Sequence, residues 1–113
     1  MKTLTMWLDE AIKPNSLKGS LYPFRNCLVL KNGVSLSIQA NGCSYCAPRK
    51  NLLNSADYYQ WEIGFPSEEI ELIKQYAEDP DRLTDTVYPY VPINVIEQAV
   101  EQAGGVSHID VKD

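Results

Sequence analysis

The sequence predicts an α+β fold, in which a small and mostly antiparallel sheet packs against two or three helices. Two alternating apolar segments flank Asn32-Gly33, a dipeptide that is typical of a β-hairpin turn. Residues 92–105 repeat apolar side chains every three to four positions between a proline and a glycine pair, as amphipathic helices do. The length of 113 residues fits a single domain, 1–113. We divide it into an N-terminal helix and loop extension, residues 1–25, and a core, residues 26–105.

The first predicted element is a helix near the N-terminus. Leu4, Leu8, Ala11 and Ile12 form one apolar stripe, with Trp7 beside it. Pro14 and the residue after it end this helix, and residues 14–24 contain the turn formers of a loop.

The hairpin around Asn32-Gly33 forms the centre of the predicted sheet. A two-residue type I′ loop pairs residue 31 with 34, 29 with 36 and 27 with 38. That register places on the core face Cys27, Val29, Val34, Leu36 and Ile38. Gln39 then points away from the main core.

The second half of the chain alternates extended and helical patterns. Residues 57–65 alternate apolar and polar side chains and predict a third strand. Residues 66–79 predict a helix with Ser67 as its N-cap, because acidic residues fill its first turns. Pro89 limits residues 85–91 to an edge strand or a loop. A helix over residues 92–105 and a strand over residues 106–111 complete the order α-β-β-β-α-β-α-β.

The charge of the chain limits its partners. Its formal net charge is −5, with 15 acidic and 10 basic residues, which argues against nonspecific nucleic-acid binding. No apolar run is long enough to span a bilayer, and acidic residues follow early, unlike in a secretory signal. We therefore expect a cytoplasmic protein that does not bind membranes. The acidic clusters at 68–71 and 78–81 are either solvated surface or a surface for a basic partner.

The cysteines allow a zinc site only as a weak alternative. Cys43 and Cys46 have the spacing of zinc ligands, but a four-ligand site would also need Cys27 and His108. A thioredoxin-like redox pair normally opens a helix, and Pro48 follows here instead. We predict free thiols, no metal and no cofactor.

No catalytic motif supports enzyme activity. The chain lacks a glycine-rich phosphate loop and a Ser-His-Asp spacing. A Cys-His nucleophilic pair would need His108 beside a cysteine, and no local signature indicates it. We expect a protein that is not an enzyme.

Aromatic and basic residues in two irregular segments form the candidate ligand-binding site. Tyrosine faces stack on flat rings, an arginine fork pairs with phosphate or carboxylate, and a glutamine amide reads polar edges. The candidate residues are Gln39, Tyr45, Arg49, Tyr88 and Tyr90. The alternative is structural: the two later tyrosines pack at the sheet edge, and Arg49 pairs with a surface acid.

The second half of the hairpin and the segments after it contain, in order, the strings LSIQA, YCAPR, EIGFPS and VYPYVP, and a predicted helix that ends in GG. This pattern resembles a family of small uncharacterised proteins encoded by bacteriophages and prophages. The resemblance spans about residues 34–105, and its pattern does not include Cys43. It implies a setting in the bacterial host cell and no specific activity. Small acidic phage proteins often act by binding a host component.

Together these observations predict a non-enzymatic phage-type accessory protein. Its role would be counter-defence by sequestering a small anionic, nucleotide-like signalling molecule. The alternative is an inhibitor or accessory factor that binds a host or phage protein through an acidic surface, and a virion role is also left open. An exposed sheet edge near Tyr88 would allow a homo-oligomer.

Overall fold

The computed structural model describes residues 2–14 and 23–111, so most of the loop predicted at residues 14–24 lies outside the described residues. The described residues form five strands, β1 Cys27–Leu30, β2 Ser35–Gln39, β3 Gln60–Gly64, β4 Val87–Pro92 and β5 Val106–Asp110. Their helices are α1 Leu4–Glu10 and α2 Ile93–Gln102, with 3₁₀ helices at Ser55–Asp57 and Glu71–Tyr76.

All five strands form one sheet in the order β4-β3-β2-β1-β5, and every neighbouring pair is antiparallel. The first four strands follow one another as a meander. Helix α2 then carries the chain from the β4 edge back to the opposite edge, where β5 pairs with β1. The predicted α+β fold is therefore confirmed, as are the edge position of β4 and the last strand. The N-terminal helix is also present, but it ends at Glu10 and not at Pro14, because Ala11 is its C-cap and Ile12 forms a β-bridge with Arg25.

The helices cover one face of the sheet and leave the other face half-exposed. The helices and the sheet share one buried hydrophobic cluster. The helices contribute Leu8 of α1, Ile73 of the second 3₁₀ helix and Ile96 of α2. The inward side chains of the sheet include Leu28, Leu36, Ile38, Trp61, Ile63 and Val91. Alternating positions are half-buried, as the strand period of two requires. We call this second side the outer face; it carries Cys27, Val29, Ser37, Gln39 and Glu62.

The hairpin forms around Asn32-Gly33, but the predicted register was wrong. Leu28 pairs with Leu36, so Leu28 and Leu30 point into the core, while Cys27 and Val29 lie on the outer face. The loop has three residues, because Leu30 N donates to Val34 O at 2.8 Å and Gly33 N donates to Leu30 O at 2.9 Å. A shift of one residue exchanges the two faces of a strand.

The helix predicted over residues 66–79 is reduced to the 3₁₀ helix Glu71–Tyr76. Ser67 does not cap it, because its backbone N donates to Ser35 O at 2.8 Å and its Oγ accepts from Ser35 N at 2.9 Å. These two hydrogen bonds hold Ser67 against the start of β2. The helical turn therefore begins only after residue 70.

Candidate functional site

Tyr45, Arg49 and Tyr90 come together on the surface, and we call these three side chains the aromatic patch. The ring centroids of Tyr45 and Tyr90 lie 6.0 Å apart, and the ring planes are tilted by 48°. The Arg49 guanidinium carbon lies 5.4 Å from the centroid of the Tyr45 ring, within the range of a cation–π contact. Both tyrosines are 43% exposed. Three of the five candidate ligand-binding residues thus form one continuous surface.

A β-bulge in β4 exposes the Tyr90 ring. Trp61 pairs with Val91 and Ile63 pairs with Tyr88, so one residue of β3 opposes two residues of β4. The extra residue breaks the strand alternation, and Tyr90 adopts φ 55°, in the left-handed region. For a bulky residue this backbone is strained, and such strain concentrates at functional sites.

The loop after β2 holds Tyr45 in place through its backbone. Asn41 Oδ1 accepts hydrogen bonds from Cys43 N at 2.8 Å and Ser44 N at 2.9 Å, which fixes the turn. Glu62 Oε1 then accepts from Tyr45 N at 2.9 Å, and Tyr45 O accepts from Tyr90 N at 3.0 Å. The two segments that carry the rings are therefore joined directly by a hydrogen bond.

A hollow of about 210 Å³ opens beside the two rings. It is lined by Tyr45, Glu78, Pro89 and Tyr90. Glu78 lies here because its backbone N donates a hydrogen bond to Val87 O at 3.0 Å. This bond holds the segment after the second 3₁₀ helix against β4. Sequence reasoning placed Glu78 in a solvated acidic cluster, since only the non-local pairing with β4 brings it beside the tyrosines.

Tyr88 and Gln39 do not join the aromatic patch. Tyr88 is fully buried, and its hydroxyl donates to the Leu83 carbonyl. Gln39 lies on the outer face and lines another hollow of about 340 Å³. Its amide binds Arg25 twice, with Oε1 accepting from Arg25 N at 2.9 Å and Nε2 donating to Arg25 O at 2.7 Å. The polar groups of both side chains therefore form hydrogen bonds within the protein.

The cysteines differ in environment. Cys43 is exposed, whereas Cys46 is buried with its Sγ 3.3 Å from Asn41 O. Burial raises the pKa of the Cys46 thiol above its ordinary value of 9.0, which disfavours the thiolate that zinc or nucleophilic chemistry needs. His108 lies on the edge strand β5, with Nδ1 3.0 Å from Ser107 Oγ. Within residues 2–14 and 23–111, no group of three potential ligands could hold a metal ion.

Sequence reasoning missed the buried Arg25, which is 2% exposed. Its guanidinium donates hydrogen bonds to Leu8 O at 3.1 Å, Ala40 O at 3.0 Å and Ser55 Oγ at 3.0 Å. Burial lowers the pKa of Arg25, and the nearby Tyr58, Asp9 and Cys46 partly offset this effect. No sequence signal distinguishes it from a surface arginine, because its partners come from distant segments.

Comparison of the chain with protein-family models, curated proteins and solved structures gives no match. In the part of the chain that the structure describes, no helix has the length and apolar character of a membrane span.

Proposed function

We propose that this chain is a non-enzymatic binding protein that captures a small, flat-ringed anion of the nucleotide type on the aromatic patch. The observation that carries the proposal is the meeting of Arg49, Tyr45 and Tyr90 from two separate segments at one exposed surface. The resemblance of the sequence to phage proteins supplies the setting. In that setting the bound ligand is a signalling molecule of the infected bacterium, and binding removes it from use.

The geometry of the rings determines how a ligand would bind. The centroids of the two rings are only 6.0 Å apart, which leaves no room for a base between the rings. A base would therefore stack on their outward faces. Base–tyrosine stacking contributes about 1–3 kcal/mol per base. The hollow of about 210 Å³ is smaller than sites for drug-sized ligands, and it therefore suits one ring system.

Arg49 supplies the charge for the anionic part of the ligand. It is exposed, and within the described residues its guanidinium forms no ion pair. A guanidinium offers two parallel N–H donors to a phosphate, and such charge-assisted hydrogen bonds are about twice as strong as neutral ones. Its position beside Tyr45 places the phosphate next to the stacked base.

The proposal is tested by thermal unfolding of the purified protein with a panel of mono-, di- and cyclic nucleotides. A ligand at a hundredfold excess over its dissociation constant adds about 2.7 kcal/mol to the free energy of unfolding, which raises Tm by several degrees. Arg49→Ala should weaken binding by about tenfold or more, since it removes a charge-assisted contact. Arg82→Ala is the control, because Arg82 is an exposed arginine that does not line the hollow, and its only ion pair within the described residues is a long one, 3.7 Å to Asp85.

The second candidate function is binding of a basic protein partner through the acidic surface around residues 68–71. Glu68, Glu69 and Glu71 line a groove of about 220 Å³ together with apolar and amide side chains, and Lys74 pairs with only two of the three glutamates. Thermal unfolding with nucleotides, together with a binding assay against host proteins, separates the two functions. If no nucleotide raises Tm, and a stoichiometric host protein binds wild type but not Glu68→Lys, the nucleotide proposal is wrong and the acidic surface is the binding site.

A further inference from the structure

The aromatic patch and its hollow carry residues of opposite charge. The Arg49 guanidinium carbon lies 5.4 Å from the centroid of the Tyr45 ring, and Arg49 does not line the hollow. Glu78 does line the hollow, together with Tyr45, Pro89 and Tyr90. Tyr45 therefore adjoins both a guanidinium and a hollow that contains an acidic residue. A ligand that stacks on Tyr45 and enters the hollow can reach both charges.

Glu78 determines what kind of group the hollow can accept. An ionised carboxylate accepts hydrogen bonds and donates none, so a favourable occupant must present N–H or O–H donors. A phosphate placed there would face a like charge. Glu78 forms no ion pair within the described residues, so no cation among those residues engages its oxygens.

Among nucleobases, guanine matches a carboxylate best. Its imide N–H and its exocyclic amino group point in the same direction, so two parallel donors can meet the two carboxylate oxygens, as in a bidentate arginine–carboxylate pair. Adenine offers only its amino group on that edge, and hypoxanthine offers only its imide. The size of the hollow, about 210 Å³, admits one base, so the sugar and phosphate stay outside it, and Arg49 adjoins the same Tyr45 ring that lines it.

We infer that the aromatic patch and its hollow select guanine nucleotides, with the guanine edge donating to Glu78, the ring stacked on the tyrosines and the phosphate held by Arg49. This inference rests on the proposed function and adds the identity of the base. A quaternary ammonium group would also satisfy two aromatic rings and a carboxylate. Arg49 disfavours that ligand, because its positive charge already lies against Tyr45.

The test is isothermal titration of the full chain with GMP, IMP, AMP and choline. Wild type should bind GMP roughly tenfold tighter than IMP or AMP, because each of these lacks one donor to the carboxylate. Glu78→Gln should remove most of that preference while changing AMP affinity by less than about twofold. Glu97→Gln, an exposed position on α2, is the matched control and should retain the preference. Far-UV circular dichroism verifies that each variant is folded.

The outcomes separate this inference from the proposed function. Equal affinity for GMP and AMP in wild type, or an unchanged preference in Glu78→Gln, overturns the selection of guanine while Arg49-dependent binding still supports nucleotide capture. Absence of binding by all three nucleotides overturns both. Binding of choline that depends on Glu78 and not on Arg49 also overturns both, and it would identify the hollow as a cation site.

Discussion

Arg25 shows how one side chain can join three parts of a small fold. Its three hydrogen bonds reach α1, the end of β2 and the Ser55–Asp57 helix. The guanidinium carbon also lies 4.9 Å from the Trp61 ring centroid. A buried charge is stable only when its donors are satisfied, and neighbouring rings supply further attraction. Arg25 therefore fastens the N-terminal helix to the sheet.

Replacing Arg25 by alanine should lower the free energy of unfolding by about 3–5 kcal/mol. The substitution leaves a cavity and removes the donor from three buried acceptors. Arg25→Lys should also destabilise, because a compact ammonium cannot reproduce the planar fork. Urea unfolding measures both effects, and Arg82→Ala, which removes an exposed side chain, should change stability by less than about 0.5 kcal/mol. An Arg25→Ala variant as stable as wild type would show that the three bonds contribute nothing.

Residue chemistry pointed to Tyr45, Arg49 and Tyr90 of the candidate site, but it did not give their positions or include Glu78. Tyrosines and an arginine in irregular segments indicated a ring-binding surface, and three of the five residues meet. Strict alternation would place Tyr88 and Tyr90 on the same face. The bulge opposite Glu62 separates them, so Tyr88 enters the core and Tyr90 reaches the surface. A bulge depends on the pairing of two strands and leaves no local signature in the sequence.

The hairpin shows a similar limit at the scale of an element. Asn32-Gly33 identified the turn correctly, but both the two-residue and the three-residue loop accept this dipeptide. Within this turn only Gly33 has a positive φ, 92°, and Asn32 Oδ1 accepts from Val34 N at 3.0 Å. The burial of Leu28 and Leu30 decides the register, because the alternative would expose two leucines to solvent.

Gly33→Ala should lower the free energy of unfolding by about 1–2 kcal/mol, because an L-residue in the left-handed region brings its Cβ too close to the following carbonyl. The cost is conformational, since nothing lies within 4 Å of an added Cβ. Gly33→Asn is the matched variant and should cost less than Gly33→Ala, since asparagine tolerates this conformation. Thermal unfolding distinguishes them, and equal stability of the three proteins would contradict the assigned turn.

Helix prediction succeeded where local and distant interactions agree. In α2, the stripe that includes Ile96, Ala99 and Val100 is buried, and Pro92 stands at its N-cap. Residues 66–79 have a comparable apolar stripe and acidic first turns. There Ser67, the predicted N-cap residue, forms its hydrogen bonds with Ser35 of β2 and does not cap a helix. Tertiary context thus overrides a local helical preference.

At the scale of the whole molecule, weakly acidic groups are distributed through the interior. Burial raises the pKa of the Cys46 thiol and of the Tyr58 and Tyr88 hydroxyls above their ordinary values of 9.0 and 10.0. Each is also a hydrogen-bond donor: Tyr58 to Lys50 O at 2.5 Å, Tyr88 to Leu83 O, and Cys46 to Asn41 O at 3.3 Å. The folded protein therefore holds these protons more tightly than the unfolded chain does.

This difference predicts that stability falls in alkali. Below about pH 8 the three groups are protonated in both the folded and the unfolded state, so they do not change the free energy of unfolding with pH. As the pH rises past 9, the unfolded chain loses these protons first, so it binds fewer protons than the folded state and the free energy of unfolding decreases. The Arg25 guanidinium stays charged throughout and does not offset the decline.

Urea unfolding at several pH values between about 7 and 11 measures this decline. Cys46→Ser keeps a donor for Asn41 O but does not titrate in this range, so its decline should begin about one pH unit later, where the tyrosines ionise. The same decline in the variant as in wild type would assign the effect to the tyrosines alone. A free energy of unfolding that stays constant or rises from pH 8 to 11 would contradict the burial of all three groups as protonated donors.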